Sequence, residues 1–101
     1  MIGNIYSNIR ISQEDRILLH LIHNGKISNK ECNEIYGFRH LPSVIRYLRK
    51  RGIKITSEPK NGENRFGQNT YWVDYTLATM REQSQQVQKM INELKFRYIG
   101  A

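Results

Sequence analysis

The stretch Arg39-His40-Leu41-Pro42-Ser43-Val44-Ile45-Arg46-Tyr47-Leu48-Arg49-Lys50-Arg51-Gly52-Ile53-Lys54-Ile55 decides how this chain is read. Pro42 is acceptable in a helix only within the first turn, where an amide hydrogen has no partner to lose. A helix therefore starts at His40 or Leu41, runs to Arg51 and stops at Gly52. Leu41, Ile45 and Leu48 form its inner face. Ser43, Arg46, Tyr47 and Lys50 then project from the opposite face, with Arg39 and His40 at its N-terminal end. After Gly52 the pattern changes: Ile53, Lys54, Ile55 and Thr56 alternate apolar and polar, the period of a strand.

Upstream, two capping signals open two more helices. Ser12 with Asp15 three residues later starts a helix that runs to about His23, where Asn24-Gly25 ends it. Ile17, Leu18, Leu21 and Ile22 are its buried face. Ser28 with Glu31 repeats the pattern as a capping box. This second helix is short, burying Cys32, Ile35 and Tyr36 before Gly37 breaks it. Ahead of both, Ile2, Ile5, Tyr6, Ile9 and Ile11 form an arm that reads as a strand or as a helical turn, and the sequence does not choose between them.

Downstream, Tyr71 to Tyr75 alternates as Ile53 to Ser57 does, so the two are expected to pair as a hairpin. Between them, Glu58 to Asn69 carries Pro59, two glycines, three asparagines and, apart from Phe66, no large apolar residue. That reads as a long polar loop. Phe66 either wedges between bases or folds back on its own hairpin, the second being the expected outcome. Tyr71, Trp72 and Tyr75 are expected in the core, the alternative being a surface that stacks single-stranded bases. Thr79 and Glu82 give a third capping box, opening a helix that continues to about Tyr98. Met80, Val87, Ile91, Leu94 and Tyr98 are spaced like a seam that meets another helix.

Sixteen lysines and arginines against nine acids leave a net charge of +7 in 101 residues. Six of those seven charges lie between Arg39 and Arg65. Such a balance suits a polyanionic partner. A lone cysteine permits no internal disulfide, no apolar run approaches the ~20 residues of a membrane span, and the N-terminus lacks the form of a signal peptide, so a cytoplasmic location is expected. His20, His23 and Cys32 are too few for a metal site, and no base is evident for Cys32 as a nucleophile. No catalytic residue, metal, cofactor or small-molecule ligand is expected, and the chain is not read as an enzyme.

A helix, a short helix, a turn at Gly37, a basic helix and a hairpin with a polar tip follow the order of a winged helix-turn-helix. Residues 12 to 78 resemble that family, and the ending Leu48-Arg49-Lys50-Arg51-Gly52 before an isoleucine-containing strand resembles small phage and prophage helix-turn-helix proteins. The expected fold is mainly α with a small β-hairpin (α+β): residues 1–78 as a winged helix-turn-helix with its arm, and residues 79–101 as an added C-terminal helix that pairs two copies. The alternative is that this helix folds back on helix 1 and completes a monomeric core.

The resemblance implies that the third helix enters the major groove of double-stranded DNA while the hairpin tip reaches the flanking backbone or minor groove. Arg39, His40, Ser43, Arg46, Tyr47 and Lys50 would then face the bases, with Arg46 or Arg39 suited to a guanine edge. Arg49 and Arg51 are expected to be partly structural or phosphate contacts. Ser28, Asn29 and Lys30 would approach a phosphate at the start of the second helix. Lys60, Asn61, Asn64, Arg65 and Gln68 arm a wing expected to be basic. The function expected is sequence-specific regulation of transcription or recombination. The alternative is an interaction module that uses the same scaffold on a protein, against which the basic third helix argues.

Overall fold

A computed structural model describes residues 11–37 and 39–98. The expected contribution of Ile2, Ile5, Tyr6 and Ile9 lies outside them. The elements run α1 (Gln13–Asn24), β1 (Lys26–Ser28), α2 (Asn29–Tyr36), α3 (Leu41–Lys50), β2 (Ile55–Glu63), β3 (Asn69–Leu77), a 3-10 turn at Met80–Glu82, and α4 (Gln85–Tyr98). The fold is thus α+β, four helices on a three-stranded antiparallel sheet, with a C-terminal helix added to a winged helix-turn-helix.

Both early capping signals form as expected. The Ser12 hydroxyl accepts from the Asp15 amide. At α2 the Ser28 hydroxyl accepts from the Glu31 amide at 2.9 Å and the Glu31 carboxylate accepts from the Ser28 amide at 3.4 Å. Gly37 ends α2 in the left-handed conformation (φ 75°), which a side chain would strain. The buried face of α1 is wider than the periodicity suggests, because Leu19 and His20 are buried with Ile17, Leu18 and Leu21. On α3 the buried set is Leu41, Val44, Ile45 and Leu48, the i, i+3, i+4, i+7 stripe of a helix lying on a core.

The sheet departs from the sequence reading in two ways. Lys26–Ser28, too short to show a strand pattern in sequence, is a strand that pairs with β3, giving the order β1-β3-β2. The segment expected as a long loop is mostly strand: β2 and β3 stay in register from Ile55↔Leu77 to Glu63↔Asn69, leaving only residues 64–68 as a turn. Pro59 fits within β2 because β2 is an edge strand, where a missing donor costs no ladder bond.

Of the three aromatics expected inside, Tyr75 is buried and Trp72 is half-buried, its indole lying over Gly62. Tyr71 is 76% exposed, since it stands on the hairpin beyond the helices that cover Tyr75.

The C-terminal segment also differs from expectation. The Thr79 hydroxyl bonds the Glu82 carboxylate instead of capping an amide, and only a 3-10 turn forms there. The chain then turns at Gln83, whose amide is buried. Its Oε1 accepts from the Lys54 amide at 2.9 Å, and its Nε2 donates to the carbonyls of Lys54 and Ala78, both at 3.0 Å. α4 begins two residues later. Val87, Ile91 and Leu94 join the core of the same chain, with Tyr98 packed against it and Met80 left 37% exposed. The seam expected to meet a second copy is thus turned inward onto its own domain. Among the described residues no helix is long and apolar enough to cross a membrane.

Candidate nucleic-acid interface

The core stripe of α3 fixes where its other side chains go. With Leu41, Val44, Ile45 and Leu48 buried, Ser43, Arg46, Tyr47 and Lys50 are all exposed, and so are Arg39 and His40 just ahead of the helix. Residues 43, 46, 47 and 50 recur at helical spacing and so share one side. From Ser43 to Lys50 they span ~10 Å of helix axis, comparable to the ~12 Å width of a DNA major groove.

The basic residues of this region divide into two groups. Arg49 sends Nε and Nη2 to the carbonyl oxygen of Ile55, at 3.0 and 2.7 Å, tying α3 to the base of the hairpin. Arg51 lies 3.8 Å from Asp15 and stacks over the Tyr47 ring at 5.7 Å. Both match the structural role expected of them, although the link from Arg51 to Tyr47 was not foreseen. Among the described residues Arg39, Arg46, Lys50 and Arg65 enter no ion pair, so their charge is free for an external anion. An arginine that is not held internally can present its planar fork to a guanine edge or a phosphate.

At the start of α2 the three candidate residues differ. The Ser28 hydroxyl is used by the capping box, and the Asn29 side-chain oxygen accepts from the Val73 amide at 3.0 Å, joining α2 to β3. Lys30 is exposed.

On the hairpin, Lys60 lies 3.4 Å from Glu58 and is only half exposed. Asn64 and Gln68 build the tip: the Asn64 Oδ1 accepts from the amides of Phe66 and Gln68 at 2.9 and 3.0 Å, and its Nδ2 donates to the Gln68 Oε1 at 3.0 Å. Asn61 and Arg65 are the candidates left exposed without such a role. The wing expected to be basic is therefore neutral over residues 58–69, where Lys60 and Arg65 balance Glu58 and Glu63. Phe66, expected to fold back on the hairpin, is instead 77% exposed.

Chemistry elsewhere is quiet. Burial pushes the Cys32 thiol up to about 12, with the Glu31 carboxylate adding to the effect, so it is a protonated core residue at neutral pH. No group of three or more His, Cys, Asp or Glu side chains among the described residues is placed to hold a metal ion.

No curated protein and no solved structure matches the chain. A family model does match it, described as a winged helix-turn-helix domain and covering residues 12–80, more than half of the sequence. The matched segment takes in α1, β1, α2, α3 and the whole β2–β3 wing. With helix order, wing and family model in agreement, the chain belongs to the winged helix-turn-helix family.

Proposed function

We propose that the chain is a sequence-specific double-stranded DNA-binding protein that regulates transcription or recombination, with α3 in the major groove and the wing on the flanking DNA. The observation that carries this reading is the row of unpaired, exposed side chains on α3: Arg46 and Lys50 flanked by Ser43 and Tyr47, with Arg39 at the helix entrance. Arg46 or Arg39 reads a base edge, while Lys50, Lys30 and Arg65 meet phosphates or the minor groove. Family membership supports DNA as the partner.

Pairing of two copies through Met80, Val87, Ile91, Leu94 and Tyr98 is a separate proposal: Val87, Ile91 and Leu94 are buried in the chain's own core, and the concentration dependence of unfolding tests whether a second copy shares that seam.

The test is binding of the purified chain to random duplex DNA at low and moderate salt, alongside Arg46→Ala and Arg65→Ala. The expected result is binding that weakens steeply with salt. Each variant is expected to bind more weakly, and each phosphate contact removed lowers the logarithmic salt slope by ~0.9. A folded chain that fails to bind duplex DNA even at low salt refutes the reading and directs the search to a protein partner.

A further inference from the structure

We infer that Phe66 is a wedge: it enters the minor groove of duplex DNA, partly separates two stacked base pairs, and bends the DNA that α3 holds. The inference rests on the DNA-binding reading above and adds a mode of engagement to it.

The first argument is that the ring is held outward. A phenylalanine at the end of a hairpin ordinarily gains by lying against the strands, yet Phe66 is 77% exposed. The turn that carries it is closely bonded. The Asn64 side chain collects the amides of Phe66 and Gln68, the Asn64 amide donates to the Gln68 carbonyl at 2.9 Å, and Gly67 adopts φ 76° and donates to the Asn64 carbonyl. These bonds define the backbone on both sides of the ring, so the ring is presented in advance of contact and little ordering remains for binding to impose.

Charge supplies the second argument. A wing that only followed the phosphate backbone would carry an excess of cations, but residues 58–69 are neutral and Lys60 is matched to Glu58 at 3.4 Å. Among the described residues Arg65 is the lysine or arginine of the wing that enters no ion pair, and its guanidinium lies 5.7 Å from the centre of the Phe66 ring. One free arginine beside one exposed aromatic ring suits a narrow groove of strong negative potential, where the cation finds the field and the ring finds a base step.

Reach is the third. From Pro59, whose partner Val73 packs against the core, the strand continues for four residues to Glu63, ~13 Å at the rise of a strand. The tip therefore lies well clear of the core, while the Arg49 fork on the Ile55 carbonyl holds the base of the hairpin to α3. With α3 seated, the tip meets DNA at a distance from the bases that α3 reads.

The experiment uses the full chain and a short duplex, dye-labelled at both ends, carrying the sequence that the chain selects from a random pool. Affinity and end-to-end distance by energy transfer are read together. Wild type is expected to shorten that distance as a kink of ~20–90° does. Phe66→Ala is expected to bind roughly tenfold more weakly, as loss of one stacked base implies, and to leave the duplex straight. Phe66→Leu, which keeps an apolar wedge, is expected to retain most of the bend. A wild-type complex with straight DNA, or a Phe66→Ala complex bent as wild type is, overturns the wedge while leaving the DNA-binding reading intact. Selection that recovers no duplex at any salt overturns both, and the exposed ring then belongs to a protein contact.

Discussion

Arg49 on α3 donates both Nε and Nη2 to the single carbonyl oxygen of Ile55, the first residue of β2, at 3.0 and 2.7 Å. α3 and β2 are adjacent in sequence, and the connection between them is already held by the Ile53 amide on the Leu48 carbonyl and by Gln83 on the Lys54 backbone. The fork adds a side-chain tie across that connection. It therefore helps fix the angle at which α3 and the hairpin leave the core.

Replacing Arg49 by Ala is expected to cost about 1–2 kcal/mol, the lower part of the range for hydrogen bonds from a charged group, since the site is only partly buried. The midpoint of thermal unfolding should fall by ~5 °C or more. Arg49→Lys should recover little of it, because an ammonium cannot reproduce two parallel donors on one acceptor. Equal stability of Arg49→Lys and wild type in denaturant would mean that only the charge matters.

Gln83 makes a second prediction. Its amide is 4% exposed and satisfies three backbone groups, the amide and carbonyl of Lys54 and the carbonyl of Ala78. Gln83→Met keeps the volume and orphans the Lys54 amide and the Ala78 carbonyl, the Lys54 carbonyl keeping the Ala78 amide, so the expected loss is at least ~2 kcal/mol despite a more apolar side chain. Chemical denaturation would measure it. A neutral or stabilising effect would show that water replaces the amide.

Gln83 also illustrates which features the sequence makes legible. Signals that rest on local backbone satisfaction were readable: Ser28 with Glu31 closes its capping box, and Leu48 to Gly52 ends a helix before a strand. The exposed face of α3 follows from its buried stripe. What could not be read depends on distant partners. Lys26–Ser28 has one apolar residue and becomes a strand only because β3 lies beside it. The outer wing lacks alternation because neither face meets a core there, so a nine-residue strand containing Pro59, Asn61 and Gly62 looks like a loop. Thr79 and Glu82 have the spacing of a capping box, but the buried amide of Gln83 outweighs helix propagation at that point. In sequence His20 offers only a weak metal ligand, and its position between Tyr36 and Glu31 appears only when α1 and α2 are packed.

That histidine predicts a pH dependence. His20 is 1% exposed, its Nδ1 sharing a 2.8 Å hydrogen bond with the Tyr36 hydroxyl and its Nε2 lying 3.8 Å from the Glu31 carboxylate. Burial lowers its pKa below 6.5; Glu31 opposes the shift and His23 adds to it. The unfolded chain therefore takes up a proton near pH 6.5 while the folded chain still excludes it, so the contribution of neutral His20 is complete above that pH and is lost as pH falls toward the lowered value. Thermal midpoints are expected to drop between neutral pH and pH ~5.5 in wild type. His20→Asn, less stable throughout, should have a flatter profile over the same interval. An unchanged slope in that variant would assign the dependence to other groups.

The α4 seam gives the last prediction. Ile91 is 2% exposed and Leu94 is 6% exposed, both within the core that α1 and α3 also line, whereas Phe96 on the other side of the helix is 74% exposed. If the seam serves the chain's own domain, Ile91→Ala opens a cavity in a single molecule and costs about 2–5 kcal/mol. The loss should then be the same at low and high protein concentration, since no second copy enters the equilibrium. Phe96→Ser, by contrast, should alter stability by less than about 0.5 kcal/mol. Unfolding followed at several protein concentrations separates the possibilities: an unfolding midpoint that rises with concentration in wild type and loses that dependence in Ile91→Ala would mean that a second copy shares the seam. Loss of the dependence in Phe96→Ser alone would instead move any self-association to the outer face of α4, with the core face remaining closed.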